Sequence, residues 1–379
     1  MHLLDLSIML FTLIVAAILF TGYSLLIFIY WRNWNAVPVF IPLGEPVTSI
    51  SIIIPVRNEA LNIGNLLTAI LAQQYPGGKL EIIVVDDHSE DGTVDIVKTF
   101  PRVKLIHLPD QQINSFKKKS IETGIAVASG ELIITTDADC IPGHDWLSTM
   151  ALFYQNTSPV FIAAPVVINH GRTIIGLFQS MDFLVLQGIT AASVQGKIHA
   201  MCNGANMAYR RDVFYEVEGF RGIDHIASGD DMLLLYKIRQ RYPERIGYLR
   251  SAKAIMATSA QPTIGSFFNQ RIRWASKATV YQEKNMLPVL ALVYCFNLLF
   301  PVLLVAAYWF PQLWLLLLLL LLGKTLVEFP FYWSVAGFYK LRGTAWLFPL
   351  FQPAHILYTV LSGFLGQIHT YEWKGRKVS

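Results

Sequence analysis

The stretch ELIITTDADC, residues 131–140, joins a short apolar run to two aspartates that one alanine separates. The run has the length and β-branched content of a buried strand. Asp137 and Asp139 follow it directly, so their carboxylates should share a small volume, where they repel one another and resist losing water. A divalent cation that carries phosphates would offset this repulsion. Aspartate also commonly opens the loop after a strand, and the pair alone does not decide between these interpretations.

Similar apolar runs precede this one and alternate with helix-like segments. SISIIIPV (49–56), EIIVV (81–85) and VKLIHL (103–108) have the pattern of strands, and ALNIGNLLTAILAQQ (60–74) has that of a helix. Continuous apolar strands that alternate with helices predict an α/β fold with a mostly parallel sheet and helices on both faces. Right-handed crossovers place the loops after the strands at one edge, where open α/β sheets bind ligands.

Polar side chains follow three of the four strands at this edge. Residues 57–59 (RNE) follow the first strand, residues 86–89 (DDHS) follow the second, and Asp137 and Asp139 follow the fourth. Three such clusters predict one polar crevice. Neither GxxxxGK[ST] nor GxGxxG follows any strand, so the chain lacks the signatures of P-loop and nicotinamide enzymes. A nucleotide bound here would need its diphosphate neutralised mainly by a metal.

The N-terminal segment is predicted to anchor the chain in a membrane. Residues 8–30 carry no charge and are long enough to cross a bilayer. No Lys or Arg precedes them, and the run is too long for a typical signal peptide, so we expect an uncleaved anchor. Trp31, Arg32 and Trp34 follow the run, which predicts that the next domain lies in the cytoplasm.

The C-terminal third is also apolar. Residues 288–310 and 313–338 predict two further spans, and a third apolar stretch, 345–366, contains Pro349 and Pro353. For this stretch we expect a crossing, with a re-entrant or in-plane element as the alternative.

Two ionisable residues lie inside the second of these C-terminal spans. Lys324 and Glu328 are one turn apart, and ionisable groups at membrane depth are functional candidates by default. The favoured interpretation is a mutually neutralising pair, and direct chemistry or transport is the alternative.

Composition supports a membrane protein with one ordinary polar domain. The chain is 54% hydrophobic and 15% charged, whereas soluble domains are about one quarter charged. The net charge of +4 is small and no basic stripe is present, so we expect no nucleic-acid partner. Three widely separated cysteines indicate a reducing compartment. The predicted segments are an anchor and linker (1–45), a cytoplasmic domain (46–285), a membrane region of two to three spans (286–368) and a basic tail (369–379).

Residues 48–285 resemble family 2 glycosyltransferases with a GT-A fold, especially the membrane-bound branch related to polysaccharide synthases and lipid glycosyltransferases. The matching motifs, in order, are SIIIPVRNE, EIIVVDDHSEDGT, the stretch that ends in DAD, CNGANMAYRR, GDDM and QRIRW. His88 stands where the family commonly has Gly, and Asp230 stands where it commonly has Glu. The resemblance implies a GT-A-type, Rossmann-like α/β domain flanked by transmembrane helices.

The resemblance implies a role for each matching position. The nucleotide-sugar site would comprise Pro55, Arg57, Glu59, Asp86, Asp87, Lys117, Lys118, Asp137 and Asn206. Asp139, together with Asp137, would coordinate Mg2+ or Mn2+ on the diphosphate. For Lys117 and Lys118 a solvated charge run is the alternative.

Asp231, next to Asp230, is the candidate general base, although both acids also suit a helix N-terminus. Gly204 would approach the donor or acceptor closely. Gln270, Arg273 and Trp274 would contact the acceptor and diphosphate, unless they belong to an interfacial helix.

The expected function is therefore inverting, metal-dependent transfer of a sugar from a nucleotide-sugar donor to a lipid or growing glycan. A UDP-linked donor is an expectation from the resemblance alone. The expected location is the inner membrane, as a multi-pass protein with a cytoplasmic catalytic domain. A processive synthase of the poly-N-acetylglucosamine, hyaluronan or cellulose type is the alternative, and an inactive nucleotide-sugar-binding scaffold is another. Few spans would make a polymer channel narrow unless the protein forms a homo-oligomer, which favours a lipid or short-glycan acceptor.

Overall fold

The computed structural model describes residues 2–109, 115–279, 285–368, 371–373 and 376–378. The strands are β1 (Ile50–Val56), β2 (Leu80–Asp86), β3 (Val103–His107), β4 (Leu132–Thr135), β5 (Cys140–Pro142), β6 (Phe161–Ala163), β7 (Val166–Asn169), β8 (Met207–Arg210), β9 (Ile246–Tyr248), β10 (Met256–Ser259), β11 (Tyr371–Trp373) and β12 (Arg376–Val378). The α-helices are α1 (His2–Ala36), α2 (Ile63–Leu71), α3 (Thr93–Lys98), α4 (Phe116–Ala126), α5 (Trp146–Thr157), α6 (Ile174–Gly196), α7 (Arg211–Glu216), α8 (Asp230–Arg241), α9 (Ile264–Ala275), α10 (Met286–Ala306), α11 (Leu313–Phe338) and α12 (Phe348–Ile368). Short 3-10 turns occupy Ala252–Ala254, Ser276–Thr279 and Arg342–Leu347.

The main sheet confirms the predicted α/β architecture. Within the described residues its strand order is β3-β2-β1-β4-β8-β6-β9, and β1 pairs in parallel with both β2 and β4. Val56 lies opposite Asp86, and Ile53 lies opposite Thr135. This register brings the carboxyl ends of all three strands to one edge, as the apolar strand pattern predicts. β8 then joins β4 in the antiparallel direction, and β5, β10 and β7 form a small second sheet beside this edge.

Four helices in the described part of the chain are long and apolar enough to cross a bilayer. Three of them, α1, α10 and α11, match the predicted spans. The fourth, α6, was not expected. The most apolar window of α6 is 67% buried inside the protein, against 22% for each of the other three. Because Gly188 of α6 lies against Val335 and Phe331 of α11, this helix joins the sheet domain to the membrane helices.

Polar contacts identify the end of the helix bundle that adjoins the sheet domain. The indole Nε1 of Trp34, near the end of α1, donates to Ser334 Oγ of α11 over 3.0 Å. Arg250, which follows β9, donates to the carbonyl oxygens of Trp34 (3.1 Å) and Val37 (2.9 Å). The C-terminal ends of α1 and α11 therefore lie beside the sheet domain.

Both ends of α12 lie at this same side. At its start, the ring of Phe348 stacks on Tyr332 of α11 with centroids 4.6 Å apart. At its end, Gln367 Nε2 donates to the carbonyl oxygen of Ala275 in α9 over 3.3 Å. α12 is also absent from the helices that meet the length and hydropathy required for a span. This course favours the re-entrant or in-plane alternative for residues 345–366.

The ionisable pair inside α11 forms a closed network. Lys324 is fully buried, and its Nζ donates to Glu328 Oε1 (2.6 Å) and Gln352 Oε1 (2.7 Å). Gln352 Nε2 donates to the other Glu328 oxygen over 2.5 Å, and the Tyr23 hydroxyl also donates to this carboxylate. The network joins α1, α11 and α12, which supports the interpretation as a mutually neutralising pair.

Candidate active site

One cavity of about 1180 Å³ begins at the carboxyl edge of the sheet and continues between the membrane helices. Most of the residues predicted for the site line it. They are Pro55, Arg57, Glu59, Asp87, Lys117, Asp137, Asp139, Gly204, Asp230, Asp231, Gln270, Arg273 and Trp274. These residues come from the end of β1, from the loops after β1, β2 and β4, from α4, α8 and α9, and from the turn before β8, so distant parts of the chain converge on one volume.

Three predicted site residues do not line this cavity. Asp86, Lys118 and Asn206 are 3%, 2% and 0% exposed. Asn206 Oδ1 accepts from Trp146 Nε1 (2.9 Å), while its Nδ2 donates to the carbonyl oxygens of Pro165 (2.8 Å) and Ala254 (2.9 Å). Its side-chain amide is thus fully engaged by protein partners. We therefore assign Asn206 a structural role, in which it holds together the segments that carry these three partners.

Lys118 holds the segment that precedes the candidate base. Its Nζ donates to the carbonyl oxygens of Ile223 (2.7 Å), Ile226 (2.5 Å) and Ser228 (3.1 Å). Burial lowers the pKa of Lys118 to about 8. Because this segment leads directly into Asp230 and Asp231, Lys118 positions the acids without facing the cavity. Its burial excludes the alternative of a solvated charge for this residue.

Loops after β1 and β2 are tied together around the expected nucleotide position. Arg57 Nη1 donates to the carbonyl oxygens of Asp87 (2.7 Å) and His88 (3.1 Å). His88 has φ of 53°, in the left-handed region that favours glycine. This conformation explains why glycine is common at the matching position of family 2 glycosyltransferases. The buried Asp86 carboxylate accepts from the Ser89 amide over 3.3 Å, so it stabilises the same loop without lining the cavity.

Lys117 connects the two pairs of acids. Its Nζ lies 2.6 Å from Asp137 Oδ1 and 3.3 Å from Asp230 Oδ2. Burial disfavours the charged lysine, but the carboxylates of Asp137 and Asp230 outweigh it and raise the pKa of Lys117 above its ordinary value. Lys117 is therefore a charged bridge inside the cavity wall and not part of a solvated charge run.

Asp139 has the surroundings of a cation ligand. Burial raises its pKa, and the nearby carboxylates of Asp137 and Glu59 raise it further, so negative charge is concentrated around this side chain. Thr258 Oγ1 donates weakly to Asp139 Oδ2 over 3.5 Å. The described residues contain no cluster of three or more His, Cys, Asp or Glu that could hold a metal. One or two carboxylates fit Mg2+ or Mn2+, since such ions take most other ligands from substrate phosphates and water.

Asp230 and Asp231 occupy the first turn of α8, after Gly229, whose φ of 77° is left-handed. Asp231 Oδ2 accepts from the Gly204 amide (3.1 Å), and its Oδ1 accepts from the Met232 amide (2.8 Å). Burial and the neighbouring Asp230 raise the pKa of Asp231. Burial opposes ionisation of Asp230, but Lys117 lowers its pKa below the ordinary value. Two adjacent acids with pKa values moved in opposite directions suit a division of roles, with Asp231 as the base.

α9 carries the QRIRW motif along the cavity wall. Gln270, Arg273 and Trp274 line the cavity, and their contact with an acceptor or diphosphate stays a prediction. Sequence reasoning missed Arg271, which is 4% exposed and lies with its guanidinium 4.3 Å from the Trp274 ring centroid. Arg271 Nη2 lies 2.7 Å from Asp182 Oδ2 of α6, and both side chains are almost completely buried.

The Asp182 carboxylate also reaches α12. The Tyr358 hydroxyl donates to Asp182 Oδ1 over 2.5 Å, and His355 Nε2 lies 3.8 Å from the same oxygen. This cluster holds three helices around Trp274. Asp182 is the single charged residue in α6, which is otherwise uncharged and mostly apolar. A lone charge in such a segment is the feature of the sequence that could have identified this cluster.

We predict that Asp182→Asn destabilises the protein, because it leaves the Arg271 guanidinium buried without its counter-charge. The loss should be about 3 kcal/mol, as for other broken buried ion pairs. Thermal unfolding in detergent measures it as a lower midpoint. Glu122→Gln is the control, since it removes the exposed Lys119–Glu122 pair (2.8 Å) and should change stability by less than about 1 kcal/mol. Equal, small shifts in both variants would contradict the structural role of the buried pair.

Comparisons with known proteins agree with this geometry. Residues 51–218 match the family model described as Glycosyl transferase family 2. Glycosyltransferase AglE of Haloferax volcanii is 31% identical over 189 residues, which cover 48% of this chain and 59% of that protein. The Poly-beta-1,6-N-acetyl-D-glucosamine synthase of Staphylococcus epidermidis is 25% identical over 234 residues, covering 61% of this chain and 55% of the synthase. The chain thus spans a little more than half the length of these curated relatives.

A solved structure extends the likeness to nearly the whole chain. The mannosyltransferase PcManGT from Pyrobaculum calidifontis, solved in complex with GDP-Man and Mn2+, aligns with a TM-score of 0.58. The alignment covers 94% of this chain and 97% of that one, at 20% sequence identity, and it shows a shared fold. The matched motifs, the mostly parallel sheet and this alignment agree: residues 51–218 are similar to family 2 glycosyltransferases, and the chain has a GT-A-type fold joined to apolar helices.

Proposed function

We propose that this protein is a membrane-bound, inverting glycosyltransferase that moves a sugar from a nucleotide-sugar donor to a hydroxyl of a lipid or growing glycan. The observation that carries the proposal is the continuous cavity, which joins the acids of the sheet edge to the membrane helices. A donor at the sheet edge and an acceptor between the helices would meet at Asp231. A UDP-linked donor remains the expectation from the family resemblance.

The donor would lie against the loops after β1, β2 and β4. Arg57 and Asp87 line the cavity where a base and ribose would bind, and Asp137 and Asp139 line it where the diphosphate would bind. Mg2+ or Mn2+ held by Asp139, with Asp137 nearby, would neutralise the diphosphate and stabilise it as a leaving group. Lys117 holds Asp137 at 2.6 Å and so keeps the two donor-side acids oriented.

The acceptor hydroxyl would be activated by Asp231. The Gly204 and Met232 amides each donate to one oxygen of this carboxylate, and a remaining lone pair would take the hydroxyl proton as the hydroxyl oxygen attacks the anomeric carbon. The new carbon–oxygen bond forms as the bond to the diphosphate breaks, and the bonding electrons leave with the diphosphate oxygen. A single displacement of this kind inverts the anomeric configuration. Arg273 and Trp274 line the same wall, where a cation suits the diphosphate and a ring suits a sugar face.

A processive polysaccharide synthase is the second candidate. The cavity reaches Tyr23 and Glu328, well inside the helix bundle, and this depth could accommodate more than one sugar unit. Product size separates the two candidates, since a synthase releases long glycan and a single transferase releases one glycosylated acceptor. Tight nucleotide binding without any turnover would instead indicate the inactive scaffold. We place the protein in a cell membrane with its catalytic domain in the cytoplasm.

We predict that Asp231→Asn lowers sugar transfer by about 10² to 10⁴-fold, the range typical for loss of a general base. Nucleotide binding should be unchanged, because Asp231 lies on the acceptor side. The measurement uses protein in nanodiscs, a panel of labelled nucleotide sugars and native lipids, with nucleoside diphosphate release as the readout. Asp95→Asn, the same substitution in the first turn of α3, is the control and should retain full activity. Full activity of Asp231→Asn would exclude it as the base.

We predict that activity falls at acid pH, with a midpoint above the ordinary aspartate pKa of about 3.9. Burial and Asp230 raise the pKa of Asp231, while Lys277 and Lys117 lower it. Since only the carboxylate accepts a proton, activity is lost as pH falls through the raised pKa. Asp230→Asn removes one of the charges that raise the pKa of Asp231. In this variant the loss of activity at acid pH should therefore begin at a lower pH. The pH dependence of kcat/KM for both proteins checks this prediction. A midpoint at higher pH in Asp230→Asn than in the unmodified protein would contradict it.

We predict that chelation by EDTA stops turnover and that Mn2+ restores it. Asp139→Asn should also weaken Mn2+ binding in the presence of a nucleoside diphosphate, because the ion loses a protein ligand. Calorimetric titration of Mn2+ measures this directly, with Asp95→Asn as the control. Undiminished turnover in EDTA, together with equal Mn2+ affinity in both variants, would exclude a metal on Asp139.

A further inference from the structure

The inner half of the cavity lies among membrane helices and has mostly apolar walls. Its lining there includes Leu26 and Ile27 of α1, Leu290 of α10, Phe331 of α11 and Phe351 of α12. The same cavity contains the catalytic acids, so any molecule in this half has a path to Asp231.

The cavity also opens sideways between α10 and α12. Leu287, Phe364 and Ile368 line the cavity, yet they are 62%, 57% and 59% exposed. Each therefore lies where the cavity meets the exposed surface of the helices. Phe364 and Ile368 are four residues apart and share one face of α12. We call the opening that these three residues define the lateral port.

Close helix contacts bound the port on two sides. A Cβ atom at Gly363 would lie 2.7 Å from the ring of Tyr294, so α10 and α12 touch just deeper in the bundle. A Cβ atom at Gly366 would lie 2.9 Å from the Ser276 amide nitrogen, so α12 touches the end of α9 on the domain side. Along α12, Phe364 lies between these two contacts and Ile368 lies two residues beyond the second, while Leu287 is the second residue of α10, at the domain-side end of that helix. Because α10 is apolar and long enough to span a bilayer, its outer face would contact lipid in a membrane.

Polar groups lie inward of the port. His355, Tyr358 and Asp182 line the cavity between the port and Trp274. His355 Nδ1 is buried and has no hydrogen-bond partner within the described part of the chain. A ring nitrogen in this condition can accept from or donate to a hydroxyl of a bound head group. The cavity wall is therefore apolar at the port and becomes polar toward Asp231.

We propose that the acceptor is a membrane amphiphile with a hydroxylated head group, and that it enters sideways from the domain-side leaflet through the lateral port. Its reactive hydroxyl reaches Asp231, its head group contacts His355, and its hydrocarbon chain stays between Leu287, Phe364 and Ile368. This inference rests on the proposed glycosyltransferase function and names its acceptor class. A polar rim would suit a water-soluble glycan, whereas the rim observed here is apolar and adjoins lipid.

The first test narrows the port without adding charge. Leu287→Trp and Ile368→Trp should each lower the rate of sugar transfer to lipid by about tenfold, because a larger ring obstructs the chain. The controls are Val302→Trp on α10 and Leu361→Trp on α12, which are 53% and 39% exposed and do not line the cavity. They should stay within about twofold of the unmodified protein. All four proteins should bind the nucleotide equally, which verifies the fold of the catalytic domain.

The second test removes the chain from the acceptor. Protein in phosphatidylcholine nanodiscs receives either a total polar-lipid extract of the expressing cells or the same extract after deacylation by mild alkali, with labelled nucleotide sugars. Transfer to an organic-soluble product from the intact extract alone supports the proposal. Equal transfer to the water-soluble head groups, a long water-soluble glycan, or port variants as active as their controls would overturn it. Absence of nucleoside diphosphate release under every condition would instead refute the glycosyltransferase function itself.

Discussion

The site depends on the two ion pairs of the Lys117 ammonium group, which lies in the cavity wall. Four carboxylates, those of Asp137, Asp139, Asp230 and Asp231, line one cavity and would repel one another without a cation between them. Lys117 lies within 3.3 Å of one acid from each pair. It lowers the net charge of the cavity wall and holds Asp137 and Asp230 on either side of one ammonium group, and in the proposed function this would leave Asp139 and Asp231 to face the substrates. This single charge links the loop after β4 to the start of α8.

A second buried charge links the catalytic domain to the membrane helices. The Asp182–Arg271 pair joins α6 to α9, and Tyr358 extends it to α12. Arg271 also lies against the Trp274 ring, so the cavity wall at Trp274 depends on the same ion pair. A buried ion pair of this kind is a poor source of net stability, but it tolerates few alternative geometries. The fixed orientation of α9 relative to α12 follows from it, and that orientation leaves the lateral port open.

The donor and acceptor would therefore reach the reaction from different solvents. The sheet edge is polar and its loops are tied by Arg57, whereas the port is apolar and, in the proposed placement, would adjoin lipid. A nucleotide sugar stays in water because of its charge, and an amphiphile stays in the leaflet because of its chain. A cavity that opens to both brings them together at Asp231 without moving either substrate fully into the other solvent.

The sequence alone determined the features that depend on local pattern. The four parallel strands follow from short apolar runs, the polar edge follows from the residues after them, and three long helices follow from long apolar segments. Tertiary structure decided which polar residues face the cavity. Asn206 and Lys118 lie in matching motifs, yet their partners are buried protein atoms far along the chain. The Arg271–Asp182 contact joins residues 89 positions apart, and the course of α12 depends on packing at both of its ends. Strand and helix periods are set by neighbours in sequence, whereas partners and burial exist only once distant segments pack, and no local pattern encodes them.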